Sequence, residues 1–154
     1  MIILPDDDYL SIDYEFEGET LRTLPDLLAA SGLTPRKLRY EEDHLLPGLG
    51  IGITDLVKRP TRAASDVTAA EFREGVRRVR RLVAELKPKV VAYNGKGVYL
   101  RAAGVASAPW GLQPGGIVPG VADYVVPSPS GLAMIPFAEK ARWYAGLREV
   151  MERG

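Results

Sequence analysis

Hydrophobic positions along the chain switch between a helical and a strand-like period. The clearest helical period runs from Phe72 to Leu86. There Phe72, Val76, Val79, Val83 and Leu86 recur at helical spacing and form one apolar face. Thr68-Ala69-Ala70-Glu71 just before it has the form of a capping box, which satisfies the first free amides of a helix. Pro88 ends the helix, and Lys89-Val90-Val91-Ala92-Tyr93 follows as a continuous apolar run, the mark of a strand covered on both faces. Leu24 to Ser31 reads as a shorter helix, with Leu24, Leu27, Leu28 and Ala30 inward, Pro25 in its first turn and Gly32 as its cap. Phe137 to Met151 reads as a terminal amphipathic helix, with Phe137, Tyr144, Leu147 and Met151 on one face.

Shorter segments fill the intervals. Ile2-Ile3-Leu4 reads as a short buried strand, and Tyr124-Val125-Val126 as the last strand. Tyr9 to Glu19 alternates loosely through Tyr9, Ile12, Tyr14 and Phe16, which fits an edge strand or hairpin, while its acids equally fit a disordered leader. Thr34-Pro35 is expected to start a second short helix, and Glu41 to Leu46 to form another helical piece. Gly48 to Leu56 is glycine-rich and β-like, with Ile51 and Ile53 expected inside. Trp110 to Pro114 and Ile117 to Pro119 read as a loop and a short strand, with Trp110 placed in the core. Alternating strands and helices predict an α/β fold with a mainly parallel sheet.

Composition narrows the class. A chain of 154 residues with 46% apolar and 26% charged residues fits one globular domain with a real core. No run approaches the ~20 apolar residues of a membrane span, and the first residues lack a signal-peptide pattern, so a cytoplasmic protein is expected. Cysteine is absent, which excludes disulfides, thiolate metal sites and a cysteine nucleophile. The single histidine, His44, builds no metal site or triad by itself and receives no role. Net charge is zero but unevenly placed. Residues 1–20 carry seven acids and no base, whereas the remainder carries 20 bases and 13 acids, a net of +7. A basic body suits a polyanionic partner, although solvated helices give the same count.

Three stretches carry candidate chemistry. Pro127-Ser128-Pro129-Ser130-Gly131-Leu132-Ala133-Met134 is a loop stiffened by two prolines, with polar serines and a bare leucine after a glycine. It reads either as a rigid probe with an apolar tip or as a strand-to-helix connection whose leucine returns to the core. Asn94-Gly95-Lys96-Gly97 is a strand-to-helix turn of the kind that holds a phosphate at a helix start, or else a tight turn with an exposed lysine. It lacks the spacing of a P-loop, and Gly48 to Ile53 lacks the third glycine of a dinucleotide fingerprint, where Ile53 stands instead. Lys58-Arg59-Pro60-Thr61-Arg62 and the arginines Arg73, Arg77, Arg78, Arg80 and Arg81 read as solvated surface, the former also able to hold phosphates.

In their order and spacing, five segments resemble the mismatch-specific uracil/thymine-DNA glycosylases, a branch of the uracil-DNA glycosylase superfamily. They are Gly50 to Thr61, Glu71-Phe72-Arg73-Glu74-Gly75, Tyr93-Asn94-Gly95-Lys96, Trp110-Gly111-Leu112-Gln113-Pro114 and Pro127 to Leu132. The similarity runs from about Leu24 to the C-terminus, leaving residues 1–23 as an acidic, divergent segment of one glycosylase-like domain. The resemblance implies a three-layer α/β/α sandwich around a short, mainly parallel sheet. It implies a monomer that acts without metal or cofactor on double-stranded DNA and flips a mispaired or damaged pyrimidine into a pocket. It assigns Leu132 as the apolar wedge, Ser128 as a pocket position, backbone near Gly131 and Leu132 to the orphaned guanine, and Ser130 and Lys96 to DNA binding.

The chain departs from the family at its catalytic motif. The family's Gly-Ile-Asn-Pro-Gly, whose asparagine positions the attacking water, has no counterpart, and Asn94, the only asparagine, belongs to another motif. Kept spacing puts the missing asparagine near Pro5-Asp6, so Asp6, Asp7 or Asp8 becomes the candidate for holding water. The alternatives are a solvated acidic turn at that tripeptide, and a protein that binds mismatches without cutting. A small nucleotide-binding protein using Asn94 to Gly97 is a third class. The base-stacking aromatic is unmatched, with Tyr14 and Phe16 as candidates.

Overall fold

The computed structural model describes residues 2–4, 15–16, 19–20, 24–54, 56, 67–127 and 135–153. Its centre is a five-stranded sheet of β1 (Ile2–Leu4), β4 (Gly52–Ile53), β5 (Val90–Asn94), β6 (Gly111–Leu112) and β7 (Ala122–Val126), in the order β4-β1-β5-β7-β6. The first four strands in that order run parallel, and β6 closes one edge antiparallel to β7. A separate hairpin joins β2 (Glu15–Phe16) to β3 (Glu19–Thr20), overlapping the range Tyr9 to Glu19 expected to hold an edge strand or hairpin and running one residue past it.

Alternation along β5 and β7 divides the core in two. Val90, Ala92, Tyr124 and Val126 meet α1 (Leu24–Ala30) and α4 (Phe137–Glu152) on one face. Val91, Tyr93 and Val125 meet α2 (Ala69–Leu86) and α3 (Lys96–Ala103) on the other. The result is the α/β/α sandwich expected, because strands buried on both faces need a helical layer on each. Tyr144 and Leu147 of α4 and Leu27 of α1 are fully buried in the first core.

The α2 capping box is present. Glu71 N–H donates to Thr68 Oγ1 at 3.1 Å, and Thr68 N–H to Glu71 Oε1 at 3.3 Å. Gly75 lets α2 lie against the backbone of Leu56, since a methyl there would collide with the Leu56 carbonyl oxygen.

Several expectations are corrected. Thr34-Pro35 starts no helix. Leu33 and Thr34 N–H both return to the Leu28 carbonyl, the Thr34 hydroxyl bonds the Arg36 carbonyl at 2.8 Å, and the next helical piece is the 3₁₀ turn Tyr40–Leu45. The β-like stretch from Gly48 shrinks to Gly52–Ile53, because Pro47–Leu49 forms a second 3₁₀ turn and Ile51 N–H returns to the Leu46 carbonyl. Ile51 is buried as expected, but Ile53 only half so. Ala30 and Leu86, both expected inward, are exposed at the ends of their helices. Ile117-Val118 is not a strand; Ile117 N–H is taken by the Asp123 carboxylate. The short strand falls instead at Gly111–Leu112, within the expected loop.

Candidate functional site

In a parallel sheet with helices on both faces, ligands gather at the carboxyl ends of the strands where the chain changes direction across the sheet. Here the order β4-β1-β5-β7 puts that change at β1, since the chain goes to one side for β4 and returns past β1 for β5. Register places the neighbours. Leu4 of β1 lies opposite Tyr93, and Val126 of β7 opposite Asn94. The last residues of β1, β5 and β7 therefore meet at one edge.

β5 leaves this edge through Asn94-Gly95-Lys96. Gly95 N–H continues the ladder to the Val126 carbonyl at 2.8 Å, and Gly95 has φ of 104°, a conformation that favours glycine. The turn lets α3 start at once at Lys96, and no side chain caps the helix. Lys96 is half-buried, not an exposed turn lysine, and its Nζ lies 4.5 Å from the centroid of the Trp110 ring. Trp110 is half-buried, packed on the second core while carrying a cation on its ring face. The ammonium and the N-terminal end of α3 both bring positive charge to this turn.

Asn94 itself is fully buried. Its Oδ1 accepts from the Tyr144 hydroxyl at 2.9 Å, while its Nδ2 has no hydrogen-bond partner. Lys140, one turn before Tyr144 on α4, is also buried. From sequence, Asn94 has a role only within the nucleotide-binding alternative, Tyr144 is placed on the apolar face of its helix, and Lys140 has none. The available signal was the polar end of an otherwise apolar strand, Val90 to Asn94, in a chain with one asparagine.

A second buried polar group lies away from this edge, on the α2 side of the sheet. Asp123 accepts from Ile117 N–H at 2.9 Å and, at a long 3.5 Å, from the Tyr93 hydroxyl. Burial pushes its carboxyl up to about 6, against the pull of the Ile117 N–H, the Tyr93 hydroxyl and Arg80. Burial and the nearby Asp123 also raise the Tyr93 phenol well above its ordinary range. The cavity between Asp123, Tyr93, Arg80, Val79 and Val118 is apolar and too small for a nucleobase. Arg73, Arg77, Arg80 and Arg81 are exposed as expected, and Arg78 is half-buried with a 3.3 Å hydrogen bond to Thr54 Oγ1.

Of the residues proposed for DNA binding or catalysis from the resemblance, only Lys96 is among those described; Asn94, Gly95 and Gly97 of the nucleotide-binding alternative are described with it. Asp6, Asp7, Asp8, Ser128, Ser130, Gly131 and Leu132 lie outside the described residues, as does Tyr14. Among the described residues no group of three or more His, Asp or Glu side chains is placed to hold a metal, and no helix is long and apolar enough to cross a membrane.

A mainly parallel sheet with its direction change at β1, helices on both faces and a lysine-bearing turn at its carboxyl edge define an α/β/α sandwich. The family model of the uracil DNA glycosylase superfamily matches residues 5–150, and the chain belongs to that superfamily. Membership supports a DNA glycosylase, a hydrolase of the bond between base and sugar.

Proposed function

We propose that this protein is a monofunctional glycosylase that removes uracil or thymine mispaired with guanine from double-stranded DNA. The observation that carries the reading is the superfamily match over residues 5–150, joined to the carboxyl edge where Asn94, Gly95 and Lys96 open α3. The target nucleotide is flipped out, because its glycosidic bond is out of reach inside the stack. Leu132 fills the space it leaves, and Ser128, Ser130, Gly131 and Lys96 hold the DNA around it. A water held by Asp6, or by its neighbours Asp7 and Asp8, adds its oxygen to C1′. The C1′–N1 bond breaks, its electron pair leaves with the base, and the proton released by the water balances that charge. Donors around the base stabilise the departing anion. No metal or cofactor takes part, and the protein works as a monomer.

The test is strand scission by alkali after incubation with duplexes containing G·U, G·T or fully paired bases. Breaks are expected at the mismatched pyrimidine only, and Asp6→Ala is expected to abolish them. A second reading, a mismatch-binding protein without catalysis, is favoured by the absence of a Gly-Ile-Asn-Pro-Gly segment after β1. It predicts no breaks, with binding that Leu132→Ala weakens.

A further inference from the structure

All five basic residues of α2 are arginine, and four of them form one exposed stripe. Arg73, Arg77, Arg80 and Arg81 stand at i, i+4, i+7 and i+8, while Phe72, Gly75, Val79 and Val83 are buried against the second core. At about 100° per residue, the four arginines fall within one arc, and Glu71, Glu74 and Glu85 fall together on the adjoining one. Positive charge is therefore sorted along the helix instead of mixed across it. Arg101 of α3, also exposed, adds a cation at the head of α2. Its Cζ lies 3.9 Å from the centroid of the Phe72 ring, next to Arg73 in the chain.

The arrangement is unfavourable in the free protein and little offset within it. Arg73 and Arg77, and Arg77 and Arg81, are like charges four residues apart, a spacing that destabilises a helix. Arg77 pairs with Glu74 at 3.1 Å, but both side chains are mostly in solvent, where such a pair contributes little. Among the described residues Arg73 and Arg81 have no ion pair or side-chain hydrogen bond. A merely solvated helix face is served as well by lysine, whereas the planar guanidinium takes two phosphate oxygens at once.

The stripe has a direction. α2 crosses between β4 and β5, both parallel to β1, so it runs opposite to the strands and starts at their carboxyl edge. Arg73 is nearest that edge, and Arg81 lies about 12 Å further along the helix axis. The row leads away from the edge, down the outer face of the α2 layer. A duplex is a stiff rod on this scale, so a stretch lying along α2 is not the stretch held across the strand ends.

We propose that the α2 arginines form a second DNA surface, which holds the phosphates of undamaged duplex apart from the base pocket. Such a surface takes up DNA without regard to sequence and releases its counterions, the mode of binding in which a protein slides and hops toward a target. The net charge of +7 outside residues 1–20 favours a polyanion. That the polyanion is duplex DNA rests on the glycosylase reading above.

The experiment compares wild type with the triple variant Arg73→Gln/Arg77→Gln/Arg81→Gln, and with the same three positions changed to lysine. Arg80 stays, because it lines the cavity beside Asp123. Two quantities are measured: affinity for a fully paired, undamaged duplex from about 50 to 200 mM salt, and single-turnover excision from a short G·U duplex at saturating enzyme. The glutamine variant is expected to bind undamaged duplex about tenfold or more weakly. Its slope of log affinity against log salt is expected to fall by about 2–3, since each phosphate contact contributes about 0.9. The lysine variant keeps most of the slope, which depends on charge. Excision at saturation is expected to stay within about twofold. Unchanged affinity and slope overturns the proposal. So does slowed excision at saturation, which would place the arginines at the lesion. Should the triple variant fail to fold by circular dichroism, Arg73→Gln/Arg81→Gln decides, with a slope change of about 2 expected. If wild type excises nothing, the glycosylase reading fails, and the slope on undamaged duplex still decides the surface.

Discussion

Asp123 shows what one residue does when burial opposes its charge. Its carboxyl titrates near 6 in the folded protein, because the apolar wall of Val79, Val83 and Val118 desolvates it more than the Ile117 N–H, the Tyr93 hydroxyl and Arg80 compensate. The folded state therefore takes up a proton before the unfolded chain does as pH falls. Stability contributed here is lowest above pH 6, rises as pH falls through about 6, and is fully gained near the ordinary aspartate value of 3.8. A gap of that size corresponds to no more than about 3 kcal/mol. Asp123→Asn keeps an acceptor for Ile117 and removes the titration. Urea midpoints at pH 4.5 and 7.5 are expected to show the variant gaining on wild type at the higher pH only. Nothing in the sequence singled out Asp123, because its neighbours in space, Arg80, Tyr93 and Ile117, come from different elements.

At the scale of elements, legibility followed how local the signal was. α2 was readable from its capping box and its periodic face, since both depend on residues a turn or two apart. Thr68→Ala is expected to cost about 1 kcal/mol of stability in thermal or urea unfolding, the usual cost of losing such a cap. β5 was readable from its unbroken apolar run. Thr34-Pro35 misled because Leu33 and Thr34 satisfy their amides on the Leu28 carbonyl, and that closure of α1 leaves nothing to start a new helix. The two-residue strand β4 was drawn too long and β6 was read as loop, because so short a strand is defined by its partner. The site followed the same rule. The Asn94 to Lys96 turn was visible as a motif, but the Tyr144 hydroxyl that orients Asn94 comes from 50 residues away.

For the whole molecule, the strand order makes the first residues indispensable. β1 pairs with β4 on one side and β5 on the other, so removing residues 1–4 detaches β4 from the sheet. Such a truncation is expected to lose cooperative thermal unfolding, monitored by circular dichroism, and unfolding as cooperative as that of the full chain would show that β1 is dispensable. Sequence alone determined the α/β class, both long helices, the two-sided burial of β5 and the motif order that resembles the glycosylases, because periodicity and propensity are properties of neighbouring residues. Only the tertiary structure decided that three strand ends share one edge, that Lys96 rests on Trp110, and that one buried amide nitrogen meets no partner among the described residues. Those facts depend on which strands lie side by side, and packing chooses neighbours that the linear order does not record.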